Sequence, residues 1–275
     1  MREFDFYIVP TPIGNLGDIT NRAIEILKSV DIIACEDSRN TQKLLNHFSI
    51  GTKCISYHKF NERERVNQFI SLIKGGKKIA LVSDAGTPLF CDPGSILVKE
   101  LKKEGISVTA LPGANAVVTF LSQIPRETEE FCFIGFLPKS KKQIIDILSN
   151  HKKINTLFYE SPNRLLETLK IIQETNPNAV VSIGRELTKV FEEVVTDSIN
   201  SIIEYFSKDE IKGELVVMVH SSDIESSIEE YAEKIKLLRD KKFSDKDISV
   251  ILSSLYNVSR NDIYDYLLKN NCKHL

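Results

Sequence analysis

The 275-residue chain contains no tryptophan and only five cysteines, Cys35, Cys54, Cys91, Cys132 and Cys272, none in a C-x-x-C pair. An odd, scattered set of thiols makes no disulfide framework and suits a reducing cytoplasm. Cys35, Cys54 and Cys132 stand inside apolar runs, where cysteine behaves as a small core residue. The histidines are equally scattered and no H-E-x-x-H occurs, so no metal is expected. No apolar run reaches the about eighteen residues of a membrane span. Residues 1–5 lead directly into a strand-like segment, without the pattern of a secretion signal. The net charge of only -2 excludes a uniformly basic nucleic-acid coat but not a local basic face. Nucleotide fingerprints are lacking too. No G-x-G-x-x-G follows a strand-like run, there is no G-x-x-x-x-G-K-[ST], and Gly75-Gly76-Lys77-Lys78 precedes a strand and reads as a turn. A P-loop ATPase and the usual dinucleotide fold are thereby disfavoured.

What is present is a globular composition, 42% hydrophobic and 27% charged, at a length that suits two domains and an appendage. Over residues 1–113, strand-like runs (Phe6–Val9, Ile32–Cys35, Lys53–Tyr57, Ile79–Val82, Val108–Leu111) alternate with helical-period segments near 20–29, 39–48, 61–74 and 94–104. That alternation predicts a largely parallel sheet covered by helices, and Ile79-Ala-Leu-Val82 is apolar throughout, as a strand buried on both faces would be. Residues 114–222 predict a second α/β domain. Its helices lie near 114–123, 141–151 and 163–174, and its strands at Phe131–Phe136, Thr156–Tyr159, Val180–Gly184, Phe191–Thr196 and Leu215–Val219. Residues 223–275 read as a small helical, helix-turn-helix-like domain, with capping boxes at Ser244/Asp247 and Ser259/Asp262.

Ligands of open α/β sheets bind beyond the carboxyl ends of the strands, and the special residues of this chain collect there. The stretch 81–94, LVSDAGTPLFCDPG, places two aspartates, two glycines and two prolines in one connection, where a simple turn needs about one Gly or Pro. Other strand exits carry Pro10, Glu36-Asp37-Ser38-Arg39, Pro112-Gly113-Ala114-Asn115-Ala116, Tyr159-Glu160-Ser161-Pro162, Gly184-Arg185-Glu186-Leu187-Thr188-Lys189 and Gly213-Glu214. Plain structural readings stand beside the functional ones. Asp37 or Ser38 suits a helix cap, Ser161-Pro162 suits an N-cap followed by proline, and Arg164, Arg185 and Lys189 suit solvated charges.

Taken together and in order, VPTPIGNLGDIT (9–20), CEDSRNT (35–41), LVSDAGTPLFCDPG (81–94), LPGANA (111–116), GFLPKSKK (135–142), FYESPNRLLETL (158–169), GRELTKVFEE (184–193) and KGELVVMV (212–219) resemble the ribosomal RNA small-subunit methyltransferase I family, of the tetrapyrrole-methylase fold. The resemblance spans residues 4–222. It departs at Ala114, where that family carries proline, and at Lys139-Ser-Lys-Lys142, where an arginine is common. It implies two α/β domains with a cofactor cleft between them and a homodimer. The implied reaction moves a methyl group from S-adenosylmethionine to the ribose 2′-hydroxyl of a decoding-region cytidine in small-subunit (16S) ribosomal RNA.

On that resemblance, Pro10, Ser83, Asp84, Ala85, Gly86, Thr87, Gly113, Ala114, Asn115, Ala116, Phe158, Tyr159, Leu187, Gly213 and Glu214 are expected to form the cofactor site, while Asp92-Pro93-Gly94 starts the next helix and anchors the loop. Asp37 or Glu186 is the expected base, with Arg39 and Lys189 orienting phosphate or stabilising negative charge. Lys139, Lys141 and Lys142 either meet RNA phosphate or form a solvated loop. Residues 234–275 carry nine Lys/Arg against five Asp/Glu, suiting RNA or a partner subunit. Tyr256, Tyr264 and Tyr266 suit a small helical core better than base stacking. Two rivals are a tetrapyrrole C-methyltransferase and a ligand-sensing nucleic-acid-binding protein without catalysis.

Overall fold

The computed structural model describes residues 3–221, 231–256 and 260–271. The first five β-branched runs form β1 (Phe6–Ile8), β2 (Ile32–Cys35), β3 (Lys53–Ser56), β4 (Ile79–Val82) and β5 (Val108–Ala110). They make one sheet of order β3-β2-β4-β1-β5, in which every neighbouring pair is parallel. The connections supply α1 (Asn21–Ser29), α2 (Ser38–His47), α3 (Glu62–Lys74) and α4 (Ser95–Lys103). A core of Tyr7, Val9, Leu27, Ile33 and Leu45 fills the face under α1 and α2. Phe6, Val66, Phe69, Leu81, Leu97 and Leu101 fill the other, under α3 and α4. Burial on both faces is why β2 and β4 are apolar at every position.

After α5 (Ala116–Leu121) the chain builds a second sheet from β6 (Phe131–Phe136), β7 (Asn155–Glu160), β8 (Val180–Arg185), β9 (Glu193–Ser198) and β10 (Leu215–Val219). Its order is β6-β7-β10-β8-β9. Only β6 and β7 are parallel; β10 runs antiparallel to both its neighbours, and β8 and β9 pair antiparallel. The helices are α6 (Lys141–Asn150), α7 (Pro162–Thr175) and α8 (Ile199–Phe206). The last adds to the expected elements: Ser198 caps it, and Ile199, Ile202 and Phe206 bury one face. α6, α7 and α8 cover one side of this sheet. The other side carries a smaller core of Val117, Phe120, Leu157, Leu187, Val216 and Met218, to which α5 contributes.

The chain divides into two compact units, Met1–His220, which holds both sheets, and Ser221–Leu275. The second unit contains α9 (Ala232–Asp240), α10 (Asp245–Tyr256) and α11 (Arg260–Asn271) around Tyr231, Ile235, Ile248, Leu252, Ile263 and Leu267. The Ser244/Asp247 capping box is formed: the Asp247 N–H donates to Ser244 Oγ at 3.2 Å, and the Ser244 N–H donates back to Asp247 Oδ2 at 3.3 Å. The box expected at Ser259/Asp262 lies outside the described residues. Tyr266 packs against this core, Tyr264 is exposed, and the side chain of Tyr256 lies outside the described residues.

Candidate active site

Because β1, β2, β4 and β5 run parallel, their carboxyl ends lie together, and the loops leaving them are tied to one another. Thr11 and Gly86 exchange backbone hydrogen bonds of 2.9 and 3.0 Å, clamping the exit of β1 to that of β4. Gly86 has φ +79, in the left-handed region, and an added Cβ would stand 3.2 Å from Ile13 Cγ2; both features call for glycine. Beneath the turn, the Thr11 hydroxyl donates to the Ser83 carbonyl (3.1 Å) and the Ser83 hydroxyl to the Gly86 carbonyl (3.2 Å). Thr87 reaches across to the Ala114 carbonyl at 3.0 Å. Pro10 lies so close to Gly113 that a Cβ there would fall 2.5 Å from the proline ring. The far end of the loop is held by Glu62, buried on α3, which accepts the Gly94 N–H at 3.0 Å and the Tyr57 hydroxyl at 2.5 Å.

Above these loops lies a cavity of about 440 Å³, within the size range of sites that enclose one small ligand. Of the residues expected at a cofactor, Asp84, Ala85, Gly86, Thr87, Asn115, Ala116, Tyr159, Leu187, Gly213 and Glu214 line it. Pro10, Ser83, Gly113 and Ala114 stand behind this lining as its fasteners. Phe158 is different: strand alternation turns it to the opposite face of β7, where it is fully buried in the core with α6, α7 and α8. The cavity also takes in Ile13, Phe90, Cys91, Asp92, Phe136, residues 160–162 and residues 215–216. Asp92 therefore faces the cavity rather than starting the next helix. α4 begins after Gly94, with no side-chain cap.

The lining includes Asp84, Asp92, Glu160 and Glu214 but no lysine, arginine or histidine. Glu160 is satisfied, accepting the Ser161 N–H (2.8 Å) and the Thr168 hydroxyl (2.7 Å). Both oxygens of Asp84 are used, one by the Asp37 N–H and one by the Asn40 amide, each at 3.1 Å. Burial pushes the Asp92 carboxyl above its usual range, and the charge of Asp84 adds to it against a hydrogen bond from Ser83. Burial, then Asp92 and Asp84, raises Glu36 nearby. Carboxylates crowded in this way are relieved by a cation. A second cavity of about 320 Å³ shares Ile13, Asp84, Ala85 and Glu214 with the first and adds Asn40, Lys43 and Lys189.

Both carboxylates expected to act as bases are already ion-paired. Asp37 caps α2 and accepts the Arg39 N–H (2.9 Å), Nε (3.1 Å) and Nη2 (2.7 Å). The Arg39 hydrogen bonds hold its carboxyl at about 2. Burial acts to raise Glu186, but Lys189 and the Glu214 N–H outweigh it and keep the carboxyl below its usual range. Lys189 Nζ bridges Glu186 (2.8 Å) and Glu214 (3.0 Å). This network sits on a strained segment, with Glu186 at φ +50 and Thr188 at φ +65. Non-glycine residues in that region cost about 1–3 kcal/mol each and concentrate at functional sites. Arg185 pairs with Glu193 at 2.8 Å, and Arg164 donates to the carbonyls of Leu137 (3.2 Å) and Pro138 (2.8 Å), so neither is a simply solvated charge. Ser161 stands at the N-cap of α7 with Pro162 following, without a side-chain capping bond. Lys139, Lys141 and Lys142 are exposed around the start of α6, and Lys141 pairs with Glu174.

The sequence model of the tetrapyrrole (corrin/porphyrin) methylases matches residues 5–203. A ribosomal RNA small subunit methyltransferase I of Buchnera aphidicola (subsp. Acyrthosiphon pisum) is 41% identical over 273 residues, 96% of either chain. The Vibrio cholerae protein of the same name is 39% identical over 271 residues, 96% of this chain and 94% of that one. The Bacillus subtilis one is 44% identical over 226 residues, 82% and 77% of the two chains. Among solved structures, diphthine synthase superposes with a TM-score of 0.64 at 13% identity, over 78% of this chain and 89% of that one. A cobalamin biosynthetic enzyme, cobalt precorrin-4 methyltransferase, gives 0.59 at 16%, over 78% and 94%. These two show the fold. The chain belongs to the tetrapyrrole (corrin/porphyrin) methylase family, and within it to the ribosomal RNA small subunit methyltransferases I.

Proposed function

We propose that the chain methylates the ribose 2′-hydroxyl of a decoding-region cytidine in small-subunit (16S) ribosomal RNA, using S-adenosylmethionine. The observation that carries the donor assignment is the 440 Å³ cavity, built on a left-handed glycine turn, whose lining includes four carboxylates and no basic residue. Such a lining favours a ligand of positive charge. S-Adenosylmethionine supplies a methyl group already activated on a cationic sulfonium, so this chain's residues have three tasks: to hold, to align and to assist loss of a proton. Gly86, Asn115, Leu187 and Gly213 form the walls that hold it, and Asp84 and Asp92 complement its charge. An acidic lining opposes an anionic tetrapyrrole and RNA phosphate alike, so it does not choose the acceptor. The names of the relatives support ribosomal RNA as the acceptor.

The two ion pairs then acquire a role. RNA phosphate competes for Arg39 and Lys189, and each cation that moves onto it leaves a carboxylate behind. Asp37 or Glu186, so released, rises toward its ordinary range and becomes a better proton acceptor for the 2′-hydroxyl. Near-attack alignment of the sugar oxygen supplies much of the remaining rate. Lys139, Lys141, Lys142 and the C-terminal unit belong to this proposal as RNA contacts, as do the homodimer and the cytoplasmic setting. Small subunits from a strain lacking this methyl group, incubated with the chain and radiolabelled S-adenosylmethionine, test the reading. Nuclease digestion should yield labelled 2′-O-methylcytidine; label on a base atom, or none, contradicts it.

A further inference from the structure

The most exposed ring of the cavity lining, Phe136, is held there against the alternation of its strand. In β6, Ile134 packs toward α6, α7 and α8, and Phe133 packs on the opposite, cavity side. Regular alternation would send Phe136 the same way as Ile134. It does not go there, because the pairing with β7 shifts between Phe133 and Phe136: Phe133 stands opposite Leu157, and Phe136 opposite Tyr159. Three residue steps of β6 thus match two of β7. The extra residue includes Gly135 at φ +78, a conformation that glycine adopts without the penalty other residues incur. Phe136 is thereby brought onto the Tyr159 side, with ring centroids 5.4 Å apart. Phe133 meets Tyr159 at 5.1 Å and stacks on Phe90 at 4.7 Å with 15° between planes. Phe136 and Phe90 remain 62% and 43% exposed. A bulge that turns a phenylalanine out of a core and leaves most of it in water gives up apolar burial.

We propose that Phe136, backed by Tyr159, is the stacking face for the nucleobase of the acceptor nucleotide. The inference deepens the RNA-methylation reading and rests on it. A flat uncharged ring surface in the wall of a cavity whose lining has no basic residue fits a base rather than a phosphate. Aromatic side chains offered to unstacked bases are the common means of holding single-stranded RNA. Phe136 and Phe90 share the cavity lining with Gly86, Asn115, Leu187 and Gly213, but their exposure leaves ring surface for the acceptor beside the donor.

Three variants test this: Phe136→Ala, Phe136→Leu and Phe136→Tyr, in the full chain. Methyl transfer to unmethylated small subunits and calorimetric binding of S-adenosylmethionine are measured separately. Alanine and leucine should each lower kcat/KM by about tenfold or more, tyrosine should stay within about threefold, and donor affinity should hold within about twofold throughout. Leucine keeps the apolar bulk and loses only the ring. A leucine variant as active as the parent, or donor affinity falling in step with activity, overturns the proposal. If the parent chain labels no small-subunit RNA, the underlying reading fails and this inference with it; parental transfer with an unimpaired Phe136→Leu removes the stacking role alone. The chain has no tryptophan, so Phe136→Trp provides a single indole reporter. Its fluorescence should be quenched by an RNA fragment carrying the nucleotide methylated by the parent, and should be unaffected by the same fragment abasic at that position. Equal quenching by both contradicts base stacking.

Discussion

At the residue scale, Gly86 joins a positive φ, a two-way bridge to Thr11 and tight space for a Cβ beside Ile13. Gly86→Val must accept a left-handed conformation that a β-branched side chain resists, and it must push Ile13 into the cavity. Calorimetry should show donor affinity reduced by tenfold or more; an unchanged value would separate this turn from the donor site. Asp37 makes a different prediction. Its folded carboxyl lies at about 2, below the ordinary aspartate value, because Arg39 holds it. Its contribution to stability is therefore present above about pH 4 and lost as the pH falls through about 2. Asp37→Asn should flatten that acid step in thermal melts across pH, and should lower kcat far more than donor affinity. A variant of parental kcat would remove Asp37 from the list of bases. That Asp37 caps a helix was legible from its place at the head of an amphipathic segment. That Arg39 folds back on it was not, since an (i, i+2) contact depends on how the side chains leave a capped first turn.

Elements hold these residues in place. The connection 83–94 is fixed at its start by the Thr11–Gly86 bridge and at its end by Glu62. Glu62→Ala would orphan two buried donors, the Gly94 N–H and the Tyr57 hydroxyl. At about 1–3 kcal/mol for each unsatisfied group, it should destabilise the first unit by roughly 2–6 kcal/mol in urea unfolding and weaken donor binding as the loop end loosens. Full parental stability would show that water replaces the carboxylate freely. In the other unit, Ser244→Ala removes half of the capping box of α10 and should cost about 1 kcal/mol, seen as faster hydrogen exchange in the first turn of α10; unchanged exchange would deny the cap its role. Most strands of the first sheet could be read because they are short apolar runs between turn residues; β3, Lys-Cys-Ile-Ser, is the exception. The second sheet was harder. Its antiparallel β10 looks locally like any buried strand, and α8 is only eight residues long. The bulge in β6 has one sequence sign, Gly135 within an aromatic run, which also suits an ordinary strand glycine. Phe136 therefore could not be assigned to the cavity face by alternation alone, and Phe158 was assigned to it wrongly.

For the molecule as a whole, both sheets and every residue lining the two cavities belong to the first unit. The special residues at the strand ends, scattered from position 10 to position 214, meet because the parallel β1, β2, β4 and β5 end together and the exits of β7, β8 and the approach to β10 face them. That convergence was expected from the rule for open sheets. The acidity of the enclosure was not, because Asp92 and Glu160 reveal their orientation only when the loops are closed. The central claim is that this enclosure holds the methyl donor and leaves an aromatic mouth for RNA. A crystal structure of the full chain with S-adenosylmethionine tests it most directly. Density should lie against Gly86, Asn115, Leu187 and Gly213, with Asp84 or Asp92 facing its positive charge and Phe136 still uncovered. Density in any other cavity, or a donor that covers Phe136, would contradict the account.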